Sequence, residues 1–175
     1  MRAMPEPSLT YIDPFSLANN ESTVEREVSL GSMQRLAELV IKSTGDAAVS
    51  LHFGSDPLGF RVMQGEIVAP VTMKCERCLK PMPVEVVATV NVGLVKNSKQ
   101  AKNLPGQYEP LLLESDEPVS LTELVEDELI LSLPIAPRHE LKERCIDLDE
   151  YTAEEGSQEE KKNPFAALAA LKEKH

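Results

Sequence analysis

Residues 47–95 constrain the fold more than any other stretch. "AAVSLHF", "GFRVMQGEIVAPVTMKC" and "MPVEVVATVNVGLV" are rich in Val and Thr, alternate in places, and are punctuated by "GSDPLG" and "LKPMP". Too little helical sequence lies between them for crossover connections, so they are expected to pair as antiparallel strands joined by turns. Aromatic residues are 4% of the chain and Trp is absent, so the core must be mainly Val, Leu, Ile and Ala.

Helical periodicity appears on either side of this block. In "GSMQRLAELVIKSTG", Ser32 is placed to cap a helix over 32–42. Met33, Leu36, Ala37, Val40 and Ile41 share one apolar face, and Gly45 lies past the end. In "SLTELVEDELILSLP", Ser120 and Glu123 make a capping box, Leu121, Leu124, Val125, Leu129 and Ile130 form a stripe, and Pro134 ends the helix over 120–133. "SLTYIDPFSLANNE" reads as a short strand and then a turn or short helix after Pro14. "STVEREVSL" and "YEPLLLES" read as strands, and "VKNSKQAKNLPGQ" as a polar loop. The expected architecture is α+β: a curved, largely antiparallel, barrel-like sheet packed by the two main helices.

A length of 175 residues suits one domain, residues 1–145, and a tail. Residues 143–160 hold eight acids and one Arg, which predicts a flexible acidic linker over 146–162. "KNPFAALAALKEK" follows, with Asn163 and Pro164 as cap and first helical residue and Phe165, Leu168 and Leu171 at helical spacing. A helix this short, 163–174, is marginal alone and must find a groove, on its own domain or on a partner. No apolar stretch has the length of a signal peptide or membrane span, so a reduced, cytoplasmic protein away from membranes, acting as a monomer, is expected.

Chemistry concentrates around the three cysteines. Cys75 and Cys78 form a CxxC in "MKCERCLKPM", and Cys145 follows His139 by six positions in "PIAPRHELKERCID". Three readings stay open. A redox pair normally sits at a helix N-terminus, which Pro81 and Pro83 block here. A metal site, for which zinc is the natural ion, would join Cys75, Cys78 and Cys145 with His139 as fourth ligand. The third reading is three unligated thiols and a surface histidine.

Net charge is −11, which opposes binding to a phosphate backbone unless cations gather locally. Lys74, Arg77 and Lys80 surround the first cysteine segment, and Arg138, Lys142 and Arg144 surround the second. Brought together, they would make one phosphate-facing patch. The acidic face of the 120–133 helix, with Glu123, Glu126, Asp127 and Glu128, is either solvated or a docking surface for a basic protein. His52, His139 and His175 have no nucleophile or HExxH context, and no Gly-rich loop follows a strand, so no catalytic residue is assigned.

"CERCLKPM", "YEP", "LVEDELILSLPIAPRH" with a following Cys, and "NPFAALAALK" occur in this order from the middle of the chain to its end. Together they resemble the bacterial YceD family, the large ribosomal RNA subunit accumulation proteins. The resemblance implies a non-enzymatic factor in 23S ribosomal RNA synthesis, processing or accumulation. Its partner would be precursor 23S RNA or a pre-50S particle, met through the cationic patch. The competing mechanism is an acidic chaperone for a basic ribosomal protein, which would use Glu123, Glu126 and Asp127 with Phe165, Leu168 and Leu171 as anchor. A thiol oxidoreductase is the remaining alternative.

Overall fold

In the computed structural model the described residues are 11–113 and 118–139, and the chain partitions between His139 and Glu140. Lys142, Arg144, Cys145, Phe165, Leu168 and Leu171, with the linker and terminal helix expected there, lie outside the described residues.

The chain begins with strand β1 (Tyr11–Ile12) and helix α1 (Pro14–Asn19), followed by β2 (Thr23–Ser29). A single turn of 3-10 helix (Leu30–Ser32) leads into α2 (Gln34–Leu39). The strands β3 (Lys42–Ser43), β4 (Asp46–Ser55), β5 (Arg61–Lys74) and β6 (Pro81–Val95) come next. Helix α3 (Ser98–Asn103), β7 (Glu109–Leu112), β8 (Val119–Ser120) and α4 (Leu121–Leu131) complete the described chain. Helix α1 starts where the sequence signals it. Asp13 caps it by accepting from the Ser16 N–H, and Pro14, whose missing N–H costs nothing there, is its first residue.

The sheet order is β2-β4-β5-β6-β7, with β3 also on β5, while β1 and β8 form a separate pair. The β5–β6 hairpin is its spine, in register from Val62–Gly93 to Lys74–Pro81. Alternation sorts the two faces. Ala47, Val49, Leu51 and Phe53 of β4, Ile67, Ala69 and Val71 of β5, and Val86, Ala88 and Val90 of β6 are buried. They lie under α1, α4 (Leu121, Val125, Leu129) and the Leu30, Met33 and Leu36 side chains. The opposite face carries Glu25, Ser50, Glu66 and Thr89 in one cross-strand row. An antiparallel sheet covered on one side has this pattern.

Two features mark the β4–β5 pairing. Gly65 has φ +154, and a Cβ there would lie 2.0 Å from the Ser50 carbonyl oxygen, so only glycine allows β4 to approach so closely. Farther along, Ala69 and Pro70 of β5 lie opposite residues 44–47, where β3 gives way to β4, between the pairs Val68–Ala48 and Val71–Ser43. Pro70, which has no N–H to give, sits at this bulge.

Four expectations need correction. The sheet is open rather than barrel-like, because β2 and β7 end it and do not pair with each other. Strand β7 runs parallel to β6 and is reached by a crossover that follows the antiparallel 47–95 block. It passes through α3, inside the stretch read as a loop. Asn97 accepts from the Gln100 N–H while the Gln100 side chain accepts from the Lys96 N–H, a reciprocal cap that "NSKQ" encodes. Leu104 then packs on Gly93, where no side chain stands in its way.

The helix expected over 32–42 is shorter, Gln34–Leu39, and Ser32 does not cap it. Ser32 instead donates its hydroxyl to the Ser29 carbonyl. Pairing of the following chain with β5 ends the helix: Ile41 donates to the Thr72 carbonyl, and Leu39 and Ile41 stay exposed. Finally, Glu126 is buried, 5% exposed, rather than on a solvated acidic face. Helix α4 otherwise follows its sequence signals, with Ser120 accepting from the Glu123 N–H and Leu121, Val125 and Leu129 buried.

Candidate functional site

The turn between β5 and β6 is residues 75–80. Pro81 and Pro83 prevent a helix here and lie on the side of β6 that β7, confined to Val92–Val95, leaves unpaired. Cys75 donates its N–H to the Lys80 carbonyl and accepts the Leu79 N–H on its own carbonyl, closing the turn into a compact loop. Leu79 adopts φ +62, a left-handed conformation that costs a non-glycine residue about 1 kcal/mol. Its side chain is 60% exposed, so burial does not offset that cost.

The segment after α4 comes back to this loop. Glu76 donates its backbone N–H to the Pro137 carbonyl at 2.8 Å, and Cys78 Sγ lies 3.5 Å from His139 Nδ1. Arg138 lies between those two contacts, so its backbone runs along the turn that carries Arg77 and Lys80 and follows Lys74. All four cations are exposed, and none takes part in an ion pair among the described residues. One carboxylate, Glu76, shares the loop.

The same turn carries two sulfurs. Cys75 is fully buried and Cys78 partly so, and neither forms a disulfide. One ligand atom from each of Cys75, Cys78 and His139 lies within 4.8 Å of the others. Burial pushes the Cys75 thiol up, but backbone N–H groups of Cys78, His139 and Arg77, with the Cys78 side chain, outweigh it and bring the pKa down to about 6. The pair does not open a helix, the usual setting of a redox CxxC.

On α4, the acidic residues split by role. Glu126 accepts from the Leu36 N–H at 3.0 Å and from Arg35 Nε and Nη2 at 3.1 and 2.9 Å, so it ties α4 to α2. Asp127 is exposed and pairs with Arg35 at 2.6 Å, while Glu123 is exposed. Arg35 carried no signal at sequence level. Its partner is 91 positions away, and nothing local marks it. The Leu79 strain and the Glu76–Pro137 bond were likewise invisible, since both follow from how the chain folds back.

The family model described as "Large ribosomal RNA subunit accumulation protein YceD" matches residues 63–172, which include the CxxC turn, α4 and the His139 segment. A curated relative from Haemophilus influenzae named "Large ribosomal RNA subunit accumulation protein YceD" is 34% identical over 165 residues, covering 93% of this chain and 95% of the relative. No solved structure matches. With the match extending over the hairpin, its cysteine turn and the helix that packs beneath them, the chain belongs to the YceD family.

Proposed function

We propose that this protein promotes accumulation of large-subunit ribosomal RNA by binding the RNA directly, through Lys74, Arg77, Lys80 and Arg138. The Glu76–Pro137 hydrogen bond carries this reading, because it pools cations from two distant stretches on a chain of net charge −11. Phosphate contacts of this kind position an RNA without reading its sequence. Few aromatic side chains are available for base stacking, so the affinity must come chiefly from charge. Docking of a basic ribosomal protein on α4 is less favoured. Glu126 is buried against α2 and Asp127 is already paired with Arg35, which leaves little free acid on that face. The family description names an accumulation factor rather than a catalyst, and the reading places it in the cytoplasm with the assembling subunit.

Filter binding of a 23S RNA fragment across a salt series tests the proposal. Four phosphate contacts give log K against log salt a slope of about −3, and Arg77→Ala with Arg138→Ala should make it shallower by about 1.5. A slope unchanged in the double variant overturns the assignment of this patch. Retention of a basic ribosomal protein, lost on Glu123→Gln with Asp127→Asn, would support the α4 reading in its place.

A further inference from the structure

We propose that Cys75, Cys78 and His139 bind a zinc ion through two thiolates and one imidazole nitrogen, pinning the segment after α4 to the β5–β6 turn. The geometry is close to what the ion needs. With Zn–S near 2.3 Å and Zn–N near 2.0–2.1 Å, tetrahedral coordination sets sulfur and nitrogen about 3.6 Å apart. Cys78 Sγ and His139 Nδ1 are 3.5 Å apart, and Cys75 Sγ lies within the same 4.8 Å group.

The surroundings point the same way. The compact 75–80 loop holds an exposed leucine in a left-handed conformation, strain that persists only where the surroundings impose it. Two thiolates and an imidazole favour zinc over the hard, oxygen-seeking Mg²⁺ and Ca²⁺. Three protein ligands leave one of zinc's four positions for water or a further donor.

Charge links this site to the nearby cations. Zinc displaces the two thiol protons on binding, and its two charges balance the two thiolates formed. The ion therefore crosslinks the two segments without adding net negative charge near Lys74, Arg77, Lys80 and Arg138. The metal site stands on the sulfur and nitrogen geometry and does not require that RNA be the ligand.

The test uses the full chain, reduced, stripped with a chelator and titrated with zinc against a chromophoric indicator, with Co²⁺ as optical probe. One equivalent per chain is expected, with thiolate-to-cobalt charge-transfer bands and the intense visible bands of a tetrahedral ion. Cys78→Ser and His139→Ala should each weaken zinc binding by at least about tenfold. Cys75 is fully buried, so its variants are avoided. In the unmodified protein, zinc should slow alkylation of Cys78, a readout that needs no variant to fold. Substoichiometric zinc, a cobalt spectrum without sulfur bands, or equal alkylation of Cys78 with and without zinc would overturn the proposal. RNA binding measured in parallel keeps the two readings apart: zinc bound without RNA affinity defeats only the RNA assignment, and RNA bound without zinc defeats only the metal site.

Discussion

Arg35 and Glu126, 91 positions apart, meet at 2.9 Å and lock α2 onto α4. The carboxylate also receives the Leu36 N–H, so one side chain satisfies a backbone donor and a guanidinium at once. Arg35 is half exposed, and its share of the pairing is screened by solvent. The larger penalty on losing Glu126 therefore comes from stranding the Leu36 N–H in a buried site.

Glu126→Ala should lower stability by roughly 2 kcal/mol, and Glu126→Gln, which can still accept the Leu36 N–H, by about half as much. Urea unfolding at neutral pH measures both. Equal losses in the two variants would show that the backbone bond is not the main contribution.

The same residue gives stability a pH dependence. Burial pushes the Glu126 carboxyl up, but the Leu36 N–H and Arg35 outweigh it and hold it below the usual carboxylate value of 4.5. A depressed pKa means the contribution is complete above the unfolded-state value and is lost as pH falls through the folded one. Urea midpoints between pH 6 and pH 3 should thus fall less steeply for Glu126→Gln than for the unmodified protein.

Glu128 titrates in the opposite sense. Burial, then Glu109 and Asp127, raise its carboxyl, so the stability its protonated form supplies at low pH is lost as pH rises through the folded value. Glu128→Gln should stabilise the fold at pH 7 by roughly 0.5 kcal/mol after solvent screening. Thermal unfolding at pH 7 and pH 4 reads this out, with the gain expected only at pH 7.

Gly65→Ala should be among the most damaging single changes in the sheet. Its Cβ would fall 2.0 Å from the Ser50 carbonyl oxygen, and neither backbone can yield without breaking the β4–β5 ladder. A loss of more than about 2 kcal/mol is expected, or failure to fold, by circular dichroism and thermal melting. A melting temperature within about 2 °C of the parent would mean that β5 relaxes there.

Glu76→Gln separates charge from architecture in the cationic turn. The Pro137 bond uses the Glu76 backbone, so removing the carboxylate leaves the loop in place. RNA affinity at low salt should rise about threefold, with the gain disappearing as salt screens it. Unchanged affinity at low salt would argue that RNA approaches elsewhere.

Much of the architecture was legible in local patterns because local patterns are what create it. Alternation and turn residues between 47 and 95 specify strands and the sides they bury, and Ser120 with the leucine stripe specifies α4, since each depends on neighbours a few positions away. The "NSKQ" cap of α3 was equally local but lay within a polar stretch that lacks an apolar face. Four outcomes depended on distant partners. These were the parallel return of β7, the early end of α2 on β5, the burial of Glu126 and the meeting of residues 75–80 with 137–139. The sequence alone determined which side chains carry charge, sulfur and imidazole. Whether Arg138 and His139 stand beside Arg77 and Cys78 was decided only by the folded chain, because segments some sixty residues apart share no periodicity and are joined by hydrogen bonds that form once the sheet and α4 have packed.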